Sequence, residues 1–185
     1  RYPDTLEPNL WVNGASGSAL MFDGNTYVEV SPSPYQGGVQ NITKLTVEAY
    51  VNLESLVPSD PVNNVQVISR DDDVWIFGVN GEGKLFLKGF GGNEPIPIDY
   101  IGNNILEVNR LTHVAAVFNG QARTLRLYLD GILDREFITP QSYFSADGNF
   151  PKTLMGAGSI SSTMSGFSGL IDELRVSNID REISP

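Results

Sequence analysis

One carboxylate in the sequence stands where strand alternation predicts an apolar side chain. In the stretch 170–176, Asp172 shares its parity with Leu170, Leu174 and Val176. Alternate residues of a strand point to the same face, so this parity would direct Asp172 into the core. A buried carboxylate without a partner costs several kcal/mol. Three arrangements would compensate that cost: Asp172 ligates a cation, it accepts backbone N–H groups of a neighbouring turn, or a bulge turns it outward.

A second oxygen-rich corner lies early in the chain, where Asp23 and Asn25 flank Gly24 between two predicted strands. An ordinary hairpin turn would account for these residues without a metal. Alternatively, they supply part of a calcium shell, because calcium takes roughly six to eight oxygen ligands at about 2.3–2.6 Å. If the first and last strands pair, this corner meets Asp172. The resulting hypothesis is a calcium ion that is bound by Asp23, Asn25 and Asp172 and joins the terminal strands.

Trp75 and its neighbours in sequence form one candidate ligand site. Sugar sites combine an aromatic platform with planar polar side chains, because pyranose faces are apolar and their rims carry hydroxyl groups. Arg70, Asp71 and Asp72 precede Trp75 and supply such polar groups. Two simpler interpretations compete with this one. Trp75 shares strand parity with Phe77 and would then pack in the core, and the acidic run would be a solvated turn.

A Gly-rich loop offers a second candidate ligand site. Phe90 and Asn93 lie in this loop and Tyr100 follows it, so that two aromatic rings accompany one amide. In addition, Tyr50 and Tyr128 stand on the polar faces of their predicted strands. We expect those two tyrosines to line a concave sheet if the ligand binds there.

The sequence gives little support for catalysis. His113 is the only histidine and so the only candidate imidazole base, but it begins an apolar strand, where a packing role explains it. Retaining glycosidases place two carboxylates about 5–5.5 Å apart. A Glu-x-Asp-x-x-Glu pattern, which would bring such carboxylates together on a strand, does not occur here, and neither does a Gln-x-His motif. We therefore predict a non-catalytic protein.

Composition excludes several other classes of site. The 185 residues include 22 acidic and 12 basic side chains, a formal net charge of −10, with one His and no Cys. Structural zinc sites and thiol nucleophiles are impossible with these counts. The acidic balance argues against nucleic acid or an anionic membrane surface as a partner. No apolar run approaches the roughly 18 residues of a membrane span.

The elements that must position these residues are many short strands. Six Asn-Gly or Asp-Gly pairs mark tight turns, and between them apolar and polar residues alternate, most clearly over 45–53 and 124–129. Ten or more short strands predict an all-β fold, a two-sheet antiparallel jelly-roll sandwich. No change in composition marks a second domain, so residues 1–185 are expected to form one domain.

Four segments in register make the chain similar to a known family. They are ALMFDGNTYV at 19–28, LTVEAYV at 45–51, HVAAVFNG with LRLYLDG at 113–131, and GLIDELRV at 169–176. Together they resemble laminin-G-like domains of the concanavalin A-like lectin/glucanase superfamily. One departure is the pair Leu111-Thr112 before His113, where the family often has Trp.

The resemblance implies a jelly roll with one concave sheet and a calcium ion where the first and last strands meet, with Asp23 and Asp172 at matching positions. It further implies a non-catalytic module that binds glycans or cell-surface proteins, outside the cell or on its surface. The alternatives are a structural domain of a surface adhesin and, less favoured, a glycoside hydrolase or polysaccharide lyase. Because the chain begins at Arg1 without Met, we expect other domains of a larger parent chain.

Overall fold

The computed structural model describes residues 11–15, 17–30, 41–56, 65–71, 74–91, 98–145, 153–156 and 165–185. These residues form strands, turns and irregular segments but no helix, which confirms the all-β prediction. None of their segments is therefore a helix that could cross a membrane. Asp72 and Asn93 of the two candidate ligand sites lie outside the described residues.

Sixteen strands are present in the described part of the chain. In order they are β1 (Trp11–Asn13), β2 (Ser18–Asp23), β3 (Val28–Val30), β4 (Asn41–Ile42), β5 (Lys44–Leu53), β6 (Gln66–Asp71), β7 (Trp75–Val79), β8 (Lys84–Gly89), β9 (Ile98–Ile105), β10 (Leu111–Asn119), β11 (Thr124–Leu129), β12 (Ile132–Ile138), β13 (Phe144–Ser145), β14 (Thr153–Met155), β15 (Ser165–Gly166) and β16 (Ser168–Ser177).

Two sheets of seven strands each form the sandwich, as far as the described residues show. Sheet A has the order β1-β2-β16-β5-β10-β11-β12, and sheet B has the order β3-β14-β6-β7-β8-β9 with β15 beside β6. Neighbouring strands are antiparallel except for β15 and β6, and a short pair is formed by β4 and β13. The expected pairing of an early strand with the last one is confirmed, because β2 lies directly beside β16.

The core lies between the sheets and follows the predicted alternation of β5. Its apolar residues Leu45, Val47, Ala49, Val51 and Leu53 are all buried and pack against residues of sheet B. Burying one large aliphatic or aromatic side chain is worth about 1.5–3 kcal/mol. The inner face of β5 is therefore a major source of stability.

An Asp-Gly pair forms the hairpin turn between β11 and β12, as its sequence predicted. Asp130 and Gly131 both have positive φ, at 50° and 77°, and they connect the two strands directly. Two consecutive residues with positive φ are typical of a type I′ turn, whose twist matches the flanking strands. The turn places Asp130 at one end of sheet A, next to the start of β10.

Candidate functional site

Asp172 lies on the outer face of sheet A and not in the core. It pairs with Tyr50, but the register then shifts, so that Glu173 and Leu174 stand opposite the single residue Ala49. Glu173 has a φ of 50°, which is the geometry of a β-bulge. The parity argument from sequence was therefore wrong, because the bulge reverses the alternation after Asp172.

The β1–β2 turn covers Asp172 and satisfies its charge. Asp172 Oδ2 accepts the backbone N–H of Ala15 at 2.7 Å, and Oδ1 accepts the N–H of Glu173 at 2.9 Å. Gly14 allows this approach, since a Cβ at that position would overlap Asp172 Oδ2. Two of the three arrangements considered from sequence thus occur together, the outward turn and the backbone N–H donors.

Asp23 closes its own turn. Its Oδ1 accepts hydrogen bonds from the backbone N–H of Asn25 at 2.9 Å, and from the backbone N–H and the hydroxyl of Thr26, both at 2.8 Å. These donors, with the Asn25 N–H first, hold the pKa of the Asp23 carboxyl below its ordinary value. The corner has the hydrogen bonds of an Asx turn, which is the simpler of the two sequence interpretations.

The two carboxylates do not meet, although β2 and β16 pair. Asp23 stands opposite Ser168, and Asp172 lies four residues further along β16, about 13 Å at roughly 3.3 Å per residue. No group of three His, Cys, Asp or Glu side chains among the described residues could hold a metal ion. A calcium ion shared by Asp23, Asn25 and Asp172 does not fit this geometry, and calcium binding stays a prediction.

The Trp75 candidate is divided by strand alternation. Trp75 is 0% exposed and belongs to the core, so its prediction as an aromatic platform is wrong and the core interpretation is correct. Asp71 pairs with Trp75, is equally buried, and accepts a hydrogen bond from the Thr153 hydroxyl at 3.3 Å. Arg70 points to the opposite face of sheet B, where it is partly exposed. These residues therefore do not form one surface.

The second candidate is divided in the same way. Tyr100 is buried in the core, and its hydroxyl contacts the Thr139 hydroxyl and donates to Gln141 Oε1 at 2.9 Å. Phe90 packs instead against a small apolar cluster on the outer face of sheet B. The platform predicted from Phe90 and Tyr100 is not formed, because the two rings lie on opposite faces of the sheet.

The outer face of sheet A carries an aromatic pair. Tyr50 on β5 stands opposite His113 on β10, and their ring centroids are 5.0 Å apart with the planes inclined by 53°. Tyr50 remains 37% exposed, so part of its side chain is open to solvent. Tyr128 on β11 shares this sheet face, since it pairs with Ala115, which in turn pairs with Glu48. The structure thus brings together the two tyrosines that the polar strand faces predicted.

Glu48 forms the charged floor beside this aromatic pair. Its Oε2 lies 3.6 Å from His113 Nε2, and its Oε1 lies 3.5 Å from Arg175 Nη1 and 3.4 Å from Arg181 Nη1. Glu48 is only 9% exposed, and Oε1 accepts no hydrogen bond from any residue that the structure describes. Two guanidinium groups and an imidazole therefore surround one carboxylate. All four are planar groups that can form hydrogen bonds.

Residues 178–185, which we call the strap, follow β16 and cross this face. Thr46 donates its hydroxyl to the carbonyl of Ile179 at 2.7 Å and accepts the N–H of Arg181 at 3.0 Å. Asp180 accepts hydrogen bonds from Lys44 at 2.7 Å and from Asn119 at 2.6 Å. The Lys44 contact, and to a smaller extent Asn119, lowers the pKa of Asp180. These contacts explain why Thr46 and Glu48 are buried on a face that alternation assigns to solvent.

The strap lies between two open grooves. Glu48, Tyr50, His113 and Asp130 line one groove of about 380 Å³. The other has about 490 Å³ and is lined on the sheet side by Val117, Asn119, Ala122, Thr124, Arg126 and Tyr128. Arg181, Glu182 and Ile183 contribute to both grooves. The outer face of sheet A is therefore one polar surface that the strap divides.

A family model of laminin-G domains, described as the concanavalin A-like lectin/glucanases superfamily, matches residues 22–184. The chain belongs to this family. The match confirms the resemblance of the four sequence segments. Among curated proteins, no sequence matches this laminin-G-like domain.

Solved structures share the fold of this laminin-G-like domain at low identity. A Bacteroides ovatus protein described as carbohydrate-binding is 17% identical with a TM-score of 0.65; the alignment covers 85% of this chain but only 42% of that one. The CBM40 of Ruminococcus gnavus IT-sialidase, bound to α2,3-sialyllactose, is 13% identical with a TM-score of 0.67; the alignment covers 88% of this chain and 91% of that one. Domain 4 of the Geobacillus stearothermophilus extracellular arabinanase AbnA, in complex with arabinotriose, is 18% identical with a TM-score of 0.65. That alignment covers 95% of this chain and 76% of the arabinanase domain.

Proposed function

We propose that this laminin-G-like domain is a non-catalytic carbohydrate-binding module whose glycan lies in the Tyr50 groove. The observation that carries the proposal is the exposed Tyr50 side chain in a groove with the planar polar groups of His113, Glu48 and Arg181. An aromatic face matches the apolar C–H surface of a sugar ring, and the surrounding groups match its hydroxyls. Solved structures of the same fold hold α2,3-sialyllactose and arabinotriose, which supports glycans as the ligand class.

Charge near the groove favours a neutral glycan. Arg175 and Arg181 face Glu48, and Arg110 pairs with Asp130 at 2.6 Å. Glu182 also lines the groove, so three carboxylates match the three arginines, and the described residues leave no excess of cations for an anionic ligand. We place this module in a secreted or cell-surface parent chain as one of several domains.

A binding measurement with matched tyrosine variants tests the proposal. Arabinotriose, α2,3-sialyllactose and a glycan array are the probes, and Tyr50→Ala is compared with Tyr27→Ala. Tyr27 is 53% exposed but lies between β2 and β3, away from the groove residues, so it serves as the control. We expect Tyr50→Ala to weaken binding about tenfold, or about 1.4 kcal/mol, and Tyr27→Ala to leave it unchanged. Equal effects of the two variants, or no binding to any glycan by the wild type, would refute the proposal.

A second candidate function, binding of a protein partner, has one observation in its favour. Ile132, Leu133 and Ile138 are exposed on β12, which is the last strand of sheet A in the described order. Exposed apolar side chains on an edge strand favour pairing with another chain. Sedimentation velocity at increasing concentration checks self-association. Association that Ile138→Lys abolishes would favour an adhesion domain, and a monomer at every concentration would argue against it.

A further inference from the structure

The two halves of the strap are held very differently. The half that begins the strap, 178–181, is fixed by hydrogen bonds from residues 179–181 to Thr46, Lys44 and Asn119. The distal half, 182–185, makes no hydrogen bond or ion pair with any residue that the structure describes. The first half is therefore a pivot, and the distal half is weakly attached.

The distal half nevertheless occupies the groove. Its four residues all line the same groove as Tyr50 and His113. Ile183 is its only half-buried side chain, since Glu182, Ser184 and Pro185 are exposed. The end of the strap rests on the β11–β12 turn, where a Cβ at Gly131 would overlap the backbone nitrogen of Pro185. Packing of Ile183 and this close approach are therefore what keep the distal half on the sheet.

We propose that the distal half of the strap is displaced when a glycan binds, and that the ligand is an oligosaccharide of several sugar units. With residues 182–185 moved away, the Tyr50 and Tyr128 grooves join along β10. The two tyrosines are separated by two strand spacings and two residues, about 12 Å, which exceeds one sugar ring. A chain of several sugars fills this length, whereas a single sugar fills only the Tyr50 end.

Displacement has a thermodynamic signature. A ligand that binds only the open state has an apparent affinity reduced by the fraction of molecules that are open. A substitution that weakens the packing of the distal half against the sheet therefore raises the affinity for the glycan. If the distal half were instead a fixed wall that contacts the ligand, the same change would lower the affinity.

Two isoleucines of the strap provide a matched pair of variants. Ile183 is half-buried in the groove, and Ile179 lies in the anchored half with its side chain exposed. We expect Ile183→Ala to raise the affinity for arabinotriose or the best array glycan about threefold, and Ile179→Ala to leave it unchanged. The gain should be larger for oligosaccharides than for the corresponding monosaccharide. A weaker or unchanged affinity in Ile183→Ala would overturn this inference.

A spin label reports the movement directly, and the absence of cysteine in the chain makes single labels simple. Ser184→Cys places the label on the distal half, and Gln121→Cys places a control label on the exposed β10–β11 turn. We expect the glycan to increase label mobility at position 184 and not at 121. Because the inference rests on the proposed function, binding is measured on the same samples by calorimetry. Binding without a mobility change overturns only the displacement, whereas no binding to any glycan refutes the proposed function and the displacement with it.

Discussion

The N–H of Ala15 donates a 2.7 Å hydrogen bond to Asp172 Oδ2 and so connects the β1–β2 turn to the outer face of β16. Hydrogen bonds to charged groups contribute roughly 1.5–3 kcal/mol, more than those between neutral groups. We expect Asp172→Asn to lower the free energy of unfolding by about 1–3 kcal/mol, because one acceptor oxygen is replaced by a donor. Urea denaturation measures the change. The control is Asp99→Asn, whose carboxylate forms an exposed ion pair with Lys88 and no other interaction among the described residues; a similar loss in both variants would contradict this role of Asp172.

Calcium should not alter the effect of that substitution. Since Asp23 and Asp172 lie about 13 Å apart along the sheet at roughly 3.3 Å per residue, one ion does not serve both. We expect the loss caused by Asp172→Asn to be the same in excess calcium and in chelator. A loss that is clearly larger in calcium would show that Asp172 is a ligand after all. Calorimetry on the wild type tests separately whether calcium binds anywhere.

Trp75 should behave as a core residue. It is completely buried beside Phe77, and truncation of a buried Trp or Phe to Ala costs roughly 3–5 kcal/mol. We expect Trp75→Ala to lose stability in this range in a thermal or urea titration, with Tyr27→Ala nearly neutral as the exposed aromatic control. A stable Trp75→Ala variant with impaired glycan binding would instead restore the platform that its sequence neighbours suggested.

The strap should loosen in acid. Lys44 lowers the pKa of Asp180 in the folded state below the ordinary value of 3.8. Stabilisation by this group is therefore complete above the unfolded-state value and is lost as the pH falls through the lower, folded-state value. We expect the spin label at position 184 to gain mobility over that acidic range. The Lys44→Met variant should shift the transition to higher pH; an unchanged midpoint would show that Asp180 does not control the strap.

Periodicity predicted the parts of the fold that obey it. The alternation of β5 correctly placed Val47 and Val51 in the core, and the Asp130-Gly131 pair correctly marked a hairpin. The same reasoning failed at Asp172. The bulge at Glu173, with its φ of 50°, places Asp172 on the face of the sheet opposite to Leu174 and Val176. A sequence window contains no signal for that reversal, because Glu is not a residue that favours positive φ.

The candidate site shows the same limit more strongly. Tyr50 and Tyr128 were recognised as outward-facing because their strands alternate regularly. The strap was not predicted, since an irregular segment has no period and its anchor, Thr46, resembles any polar residue of a strand. Proximity in sequence predicts one ligand surface near Trp75, but successive residues of a strand point to opposite faces, and this separates Arg70 from Asp71.

The position of β16 in the middle of sheet A has a consequence for how the chain folds. This strand is the last that the structure describes, yet it lies between β2 and β5, which are both far from it along the chain. Contacts between residues so far apart in sequence form slowly, because the entropy of closing the loop is lost before the contacts stabilise the chain. During synthesis β2 and β5 therefore expose unpaired edges until β16 leaves the ribosome. We expect the pairing of β16 to appear as a slow phase in refolding or to require a chaperone. A fragment that ends before Ser168 should aggregate.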